Sequence, residues 1–275
     1  MPELPEVETT RRGLAAHLLQ HRIQAVTLRE TRLRWPVPAD LPQLLTGLTI
    51  NALERRGKYL LFQCADQTRH GHLLVHLGMS GSLRLVDPQT PPVKHEHLDI
   101  LLEQDWCLRY KDPRRFGCVL WITEPPAQHP LLVRLGLEPL STAFDGDYLY
   151  ERSRARQIPV KTLIMDNQVL VGVGNIYASE SLFLAGIRPQ RSADSLSRPA
   201  CIRLADQIRQ VLEAAIAQGG TTLRDFVNGT GKPGYFSQSL QVYGRTGLPC
   251  LHCGHLICQH TIGQRSSYYC PHCQS

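Results

Sequence analysis

Cys250-Leu-His-Cys253 and Cys270-Pro-His-Cys273 bracket sixteen residues, Gly254-His-Leu-Ile-Cys-Gln-His-Thr-Ile-Gly-Gln-Arg-Ser-Ser-Tyr-Tyr269, and this stretch decides the carboxy-terminal fold. Each Cys-x2-Cys pair can grip one side of a tetrahedral ion, and the intervening length suits a single hairpin. Four thiolates fill the shell, so the expected cofactor is one structural Zn2+ held by Cys250, Cys253, Cys270 and Cys273, with no position left for a reactive water. Two disulfides are the competing reading, and they require an oxidising compartment. His252, His255, Cys258, His260 and His272 lie nearby, but the two pairs already supply four ligands. Residues 256–262 and 265–270 read as strands turning at Gly263-Gln264. Arg265 then stands beside the hairpin tip, either as a solvated surface charge or within reach of a polyanion.

Moving outward to the whole chain, nine cysteines make an odd count for a disulfide framework. The opening MPELPEVETTRR has no basic segment leading into an apolar run, so a cytoplasmic protein with reduced thiols is expected. No apolar run reaches the roughly eighteen residues of a membrane helix. The 275 residues are 42% hydrophobic and 20% charged, enough to bury a core in two or three units. Formal charge is +6, and 25 of the 30 basic residues are arginine, whose planar fork matches phosphate. Such a charge also serves solubility alone.

A helix is expected just after Pro5, with acids in its first turn and Val7, Leu14 and Leu18 on its apolar side. From Ile23 to about Ile122 the pattern changes to short apolar runs, including Tyr59-Leu-Leu-Phe62, Leu73-Leu-Val-His-Leu77 and Val119-Leu-Trp-Ile122, broken by Gly, Pro and Asp. Residues 151–220 read as helical, most clearly at 198–217, where Ile202, Ala205, Ile208, Leu212 and Ile216 recur at helical spacing between a Ser197 cap and Gly219-Gly220. Residues 228–234 carry three glycines and a proline and suit a mobile loop. The resulting division is a β-rich domain at 1–130, a linker or hinge at 131–150, a helical domain ending in that glycine-rich loop at 151–238, and a zinc finger at 239–275.

Pro2 presents a secondary amine once Met1 is removed, with Glu3 and Glu6 close by. An α-amino group titrates near 7.7–8.0, roughly two units below lysine, so part of it is a free nucleophile at neutral pH. A secondary amine attacking C1′ of a deoxyribose expels the base and leaves an iminium that acidifies the C2′ hydrogen. Pro at position two also simply permits Met removal, and the segment alone leaves both readings open.

PELPEVETTRRGL (2–14), RRGKYLLF (55–62), HLGMSGSLR (76–84), KDPRRFG (111–117), MDNQVLVGVGNIYASESLF (165–183), GGTTLRDF (219–226), GKPGYF (231–236) and QVYGRTGLPC (241–250), followed by the four-cysteine ribbon, together resemble bacterial formamidopyrimidine-DNA glycosylase. The resemblance runs from residue 2 to residue 273 with every block in order. It implies an α+β fold: an N-terminal β-sandwich flanked by helices, then a C-terminal helix-two-turn-helix domain and a four-cysteine zinc finger. It also implies a monomer that needs no protein partner, binds double-stranded DNA containing oxidised purines, removes 8-oxoguanine and formamidopyrimidines, and cleaves the strand by β,δ-elimination.

Residue by residue, the resemblance makes Pro2 the Schiff-base nucleophile, Glu3 the acid assisting sugar-ring opening, Glu6 a supporting acid and Lys58 a proton donor in elimination. Arg265 resembles the finger arginine that grips phosphate. The base must leave the stack to be cut, and Met79, Arg114 and Phe116 match the family's inserted trio, with Arg114 bonding the widowed cytosine. His76 and Asn175 match phosphate contacts, His95, Arg156 and Lys161 further DNA contacts, and Arg224 part of the loop at 221–237 over the everted base. Two rivals share some of these features: an endonuclease VIII-like glycosylase for oxidised pyrimidines, and a catalytically silent zinc-ribbon DNA-binding protein. Leu4 and DPRRFG favour the purine enzyme over the first, and Pro2, Glu3 and Lys58 speak against the second.

Overall fold

Short runs of apolar residues punctuated by turn formers pair more readily than they coil, and residues 23–122 accordingly build two antiparallel sheets. The computed structural model of the chain describes residues 1–221 and 236–275. These divide into two compact units, one of residues 1–133 with 218–221, the other of residues 134–217 with 236–275.

The first unit opens with α1 (Leu4–Leu18), followed by β1 (Ile23–Leu28), a short α2 (Leu41–Leu45), β2 (Thr49–Arg56), β3 (Tyr59–Ala65), β4 (His70–His76), β5 (Ser82–Val86), β6 (Glu96–Leu102), β7 (Cys107–Lys111) and β8 (Cys118–Ile122). One sheet has the order β2-β3-β4-β8 and the other β1-β6-β7-β5. Leu60, Phe62, Leu73 and Val75 of the first sheet and Leu98, Ile100 and Leu108 of the second share one buried core, which makes the pair a sandwich. Helix α1 adds Val7, Leu14 and Leu18 to that core. It starts two residues earlier than its apolar pattern indicates, because Glu3 and Glu6 form a reciprocal capping box with Pro5 inside the first turn.

Strand register fixes the turns between the sheets' strands. Arg56 pairs with Tyr59, so β2 and β3 are joined by the two-residue turn Gly57-Lys58, with Gly57 at φ +57°. His76 pairs with Cys118 and Ser82 with Lys111. The connections β4–β5 (residues 77–81) and β7–β8 (residues 112–117) therefore both cross between the sheets, side by side.

In the second unit α3 (Gly146–Ser153), capped by Asp145 accepting the Tyr148 amide, packs on α6 (Arg198–Ala217). Between them lie α4 (Val160–Ile164) and α5 (Asn175–Leu184). The helical stretch expected at 151–220 is thus interrupted where Pro159, Gly172, Gly174 and Gly186 occur. Residues 131–150, read from the sequence as a linker, join this unit from Arg134 onward: the Gly136 amide donates to the Asn167 carbonyl at 2.8 Å, and Leu137 bridges Leu170. The ribbon, β9 (Cys258–Ile262) and β10 (Arg265–Tyr269), belongs to the same unit as the helices. Too small for a core of its own, it packs Val242, Cys250, Ile257 and Cys270 around Phe183 of α5. Gly263 and Gln264 both have positive φ, +55° and +61°, the geometry of a tight hairpin turn that sets Arg265 at its exit.

Candidate active site and DNA contacts

The capping box that starts α1 also pins the chain terminus. The Glu3 amide donates to Glu6 Oε2 at 2.8 Å, and the Thr221 amide donates to Glu6 Oε1 at 2.8 Å. Pro2, Glu3 and Glu6 are all buried, Glu6 completely. The terminal amino group, on Met1 in this chain, has its pKa lowered by burial; Glu3 and Glu6 pull it up, while Lys58 and Arg114 push it further down. Four charged side chains from three separate sequence blocks thus act on one amine. Lys58 reaches it from the β2–β3 turn and Arg114 from the β7–β8 turn. An amine in this setting is deprotonated at lower pH than a solvated one, so more of it is free base near neutrality, and removal of Met1 would put the Pro2 nitrogen there.

His76 ends β4 half-buried, its ring 4.8 Å from that of Tyr59. Burial lowers its pKa to about 4, helped by the charges of Lys58 and Arg34. The Gly78 amide donates to Nδ1 at 2.9 Å, so the neutral ring carries its proton on Nε2 and can act as a donor. Beyond it Met79 and Phe116 are 40% and 44% exposed, and Arg114 lies over the Phe116 ring at 4.9 Å. His95 adopts φ +73°, and its carbonyl accepts the Asp112 amide at 3.0 Å, which places it beside the same turn.

In the second unit the sequence candidates meet one another. Asn175 is the first residue of α5; its Oδ1 accepts Lys161 Nζ at 2.6 Å and its Nδ2 donates to the Ser266 carbonyl at 2.9 Å. Lys161 is 1% exposed and also donates to the Ser266 carbonyl and to Ser267 Oγ, at 3.1 and 2.7 Å. Its ammonium therefore ties the helices to β10, an internal task that its place in the sequence does not reveal. A pocket of about 270 Å³ is lined by Ile158, Lys161, Thr162, Met165, Asp166, Ile262, Gly263 and Arg265. Arg156 sits by its rim, paired with Asp166 at 3.3 Å. Arg224 lies outside the described residues, as does nearly all of the loop at 221–237.

Cys250 and Cys273 place their sulfurs 3.9 Å apart, Cys253 and Cys270 3.4 Å, and all four lie within 4.8 Å of one another. Zn–S bonds of about 2.3 Å at tetrahedral angles put sulfurs about 3.8 Å apart, so the cluster fits one zinc ion and leaves no open coordination position.

Two polar residues of consequence escaped the sequence reading. Glu180, buried in α5, accepts the amides of Gln241, Val242 and Tyr243 at 2.8–3.0 Å and so fixes the turn entering the ribbon. Burial raises its pKa against the pull of those three donors. An acid within the otherwise apolar or small Ile176-Tyr-Ala-Ser-Glu180-Ser-Leu-Phe183 was the available signal. Asp112 is the other, wholly buried in the turn beside Met79.

The β-sandwich, helical unit and four-cysteine ribbon, taken together with the family matches, make the chain a zinc-finger DNA glycosylase. Residues 1–119 match the formamidopyrimidine-DNA glycosylase N-terminal domain, 135–227 the H2TH domain of the same enzymes, and 247–275 the zinc finger found in FPG and IleRS. The chain belongs to the formamidopyrimidine-DNA glycosylase family. It is 58% identical to the formamidopyrimidine-DNA glycosylase of Teredinibacter turnerae and 59% to that of Stutzerimonas stutzeri, each over the full length of both chains. Among solved structures, a Lactococcus lactis FPG mutant bound to Fapy-dG DNA superposes with a TM-score of 0.92 at 34% identity, covering all of both chains. The MutM (FPG) protein of Thermus thermophilus gives 0.88 at 37%, covering 99% of this chain and 98% of its own. Among the described residues no helix is long and apolar enough to cross a membrane.

Proposed function

We propose that the chain excises oxidised purines, 8-oxoguanine and formamidopyrimidines among them, from duplex DNA and then cleaves the strand at the resulting abasic site. The observation that carries this reading is the buried amino terminus: Pro2 and Glu3 are fixed by the Glu6 capping box within electrostatic range of Lys58 and Arg114, and removal of Met1 frees the Pro2 nitrogen at that place. With Met1 removed, the Pro2 nitrogen attacks C1′; the glycosidic bond breaks and the amine proton leaves with the base. Glu3 donates a proton to O4′, the sugar ring opens and an iminium forms. Loss of a C2′ proton then expels the 3′ phosphate, a second elimination expels the 5′ phosphate, and hydrolysis returns the amine. Glu6 holds the terminus through the Glu3 amide, Lys58 serves as proton donor in elimination, and Arg265 stabilises phosphate charge, since a guanidinium does not release its proton.

Met79, Arg114 and Phe116 occupy the gap left by the turned-out base, Arg114 facing the orphaned cytosine. His76, through its Nε2 proton, and Asn175 contact phosphate, and His95 and Arg156 extend the backbone grip. Lys161 supports Asn175 and β10 at that grip. The protein acts as a monomer among the nucleoid DNA. Solved relatives support the lesion class, since those of Lactococcus lactis hold DNA with Fapy-dG and with an abasic site. Another holds DNA containing an oxidised pyrimidine, which favours a lesion range reaching beyond purines.

Borohydride reduction in the presence of 8-oxoguanine duplex and, separately, thymine glycol duplex tests the proposal. A covalent complex that forms readily on the first substrate and weakly on the second is the expected outcome. No covalent complex on either would leave a DNA-binding protein without this chemistry.

A further inference from the structure

Met79 and the Arg114–Phe116 pair stand on different turns, yet a single buried group holds both. Asp112 Oδ1 accepts Ser80 Oγ–H at 3.1 Å, from the residue after Met79. Its Oδ2 accepts the Gly117 amide at 2.8 Å and the Tyr110 hydroxyl at 3.3 Å. Its carbonyl accepts the Arg115 amide at 3.2 Å and lies 2.8 Å from the His97 ring nitrogen, and its amide donates to the His95 carbonyl. Ser80 Oγ closes the ring by accepting the Arg114 amide at 3.3 Å. The arrangement leaves no slack: a Cβ on Gly78 would sit 2.5 Å from the Gly117 nitrogen, and one on Gly117 would sit 2.0 Å from the Tyr110 hydroxyl. Arg115, between the two exposed side chains, is held at φ +57°, a conformation uncommon for a residue other than glycine.

Asp112 is fully buried and Ser80 is 8% exposed, so neither meets a ligand. What they supply is the relative position of three exposed side chains drawn from residues 79–116. We infer that Asp112 and Ser80 are positioning residues that lock Met79, Arg114 and Phe116 into one rigid wedge, and that recognition of the base opposite the lesion depends on this buried bridge. The inference rests on the reading that these three side chains enter the duplex.

The test measures excision of 8-oxoguanine opposite cytosine and opposite adenine by the full chain, its Arg114→Ala variant as the limit without readout, and Ser80→Ala and Asp112→Ala. Loss of the bridge lets Arg114 drift, and Ser80→Ala removes two hydrogen bonds, each of about 1 kcal/mol and so each corresponding to several-fold in cytosine preference. Ser80→Ala is therefore expected to lose most of the preference while unfolding within a few degrees of the unaltered chain. Asp112→Ala is expected to lose all of it, and Asp112→Asn, whose amide oxygen still accepts from Gly117 and Tyr110, to recover much of it. Should Asp112→Ala fail to fold, Ser80→Ala decides alone. Variants whose activity falls equally opposite both bases, with the preference intact, would reduce the bridge to a stability feature and overturn the inference. An unaltered chain that excises nothing opposite either base would instead overturn the reading beneath it.

Discussion

Glu6 illustrates how much of this site depends on hydrogen bonds rather than on exposed charge. Its two oxygens accept the amides of Glu3 and Thr221 in a fully buried setting, so replacing it leaves two donors without their partner. Glu6→Ala should cost about 2–6 kcal/mol of stability in the first unit, read as a shift in the urea midpoint, because each orphaned buried donor costs about 1–3 kcal/mol. Glu6→Gln, which keeps one acceptor, should cost less. His76 makes a pH prediction. Its pKa falls from 6.5 to about 4 on folding, so the unfolded chain binds the proton more tightly. Stability from this group is complete above pH 6.5 and is lost as pH drops toward 4. His76→Gln should flatten that part of a plot of melting temperature against pH; an unchanged slope would count against a buried neutral ring. At this scale Pro2, Glu3, Glu6 and Lys58 were legible because they sit in recognisable blocks. The tasks of Asp112 and Lys161 were not, since Asp-Pro reads as an ordinary turn and nothing around Lys161 announces that its ammonium is buried.

Among elements, the ribbon was the most legible, because paired cysteines and a Gly-Gln turn carry their geometry in their spacing. The same pattern gave no sign that the ribbon shares a core with Phe183 of α5. That sharing sets the reach of metal loss. Removing zinc with a chelator, or Cys250→Ser, should abolish amide exchange protection in β9 and β10 and weaken it in the last turns of α5, while β2, β3 and β4 stay protected. Exchange that stopped at the ribbon would mean Phe183 contributes nothing to it. The interrupted helical region was only half readable: α6 repeats its apolar residues cleanly, whereas α4 is five residues long, too short for any periodicity to register. Residues 134–145 form no regular element before Asp145, so composition alone could not assign them to the second unit.

The chain as a whole reads as a base-excision enzyme of two units whose arginine-rich surface meets a polyanion. Composition foretold the partner's charge but neither its lesion nor its chemistry, which rested on the ordered blocks. DNA affinity should fall steeply with salt, and Arg265→Ala should reduce the slope of log affinity against log salt by about 1, the release of about one counterion per lost phosphate contact. An unchanged slope would place Arg265 away from the backbone. The covalent chemistry is the claim on which everything else is arranged, and peptide mapping of the borohydride-reduced complex addresses it at the atom concerned. A sugar adduct on the amino-terminal nitrogen of Pro2, and on no other residue, is the expected result. An adduct on Lys58, or full cleavage of 8-oxoguanine duplex by protein shown by mass to retain Met1, would contradict it.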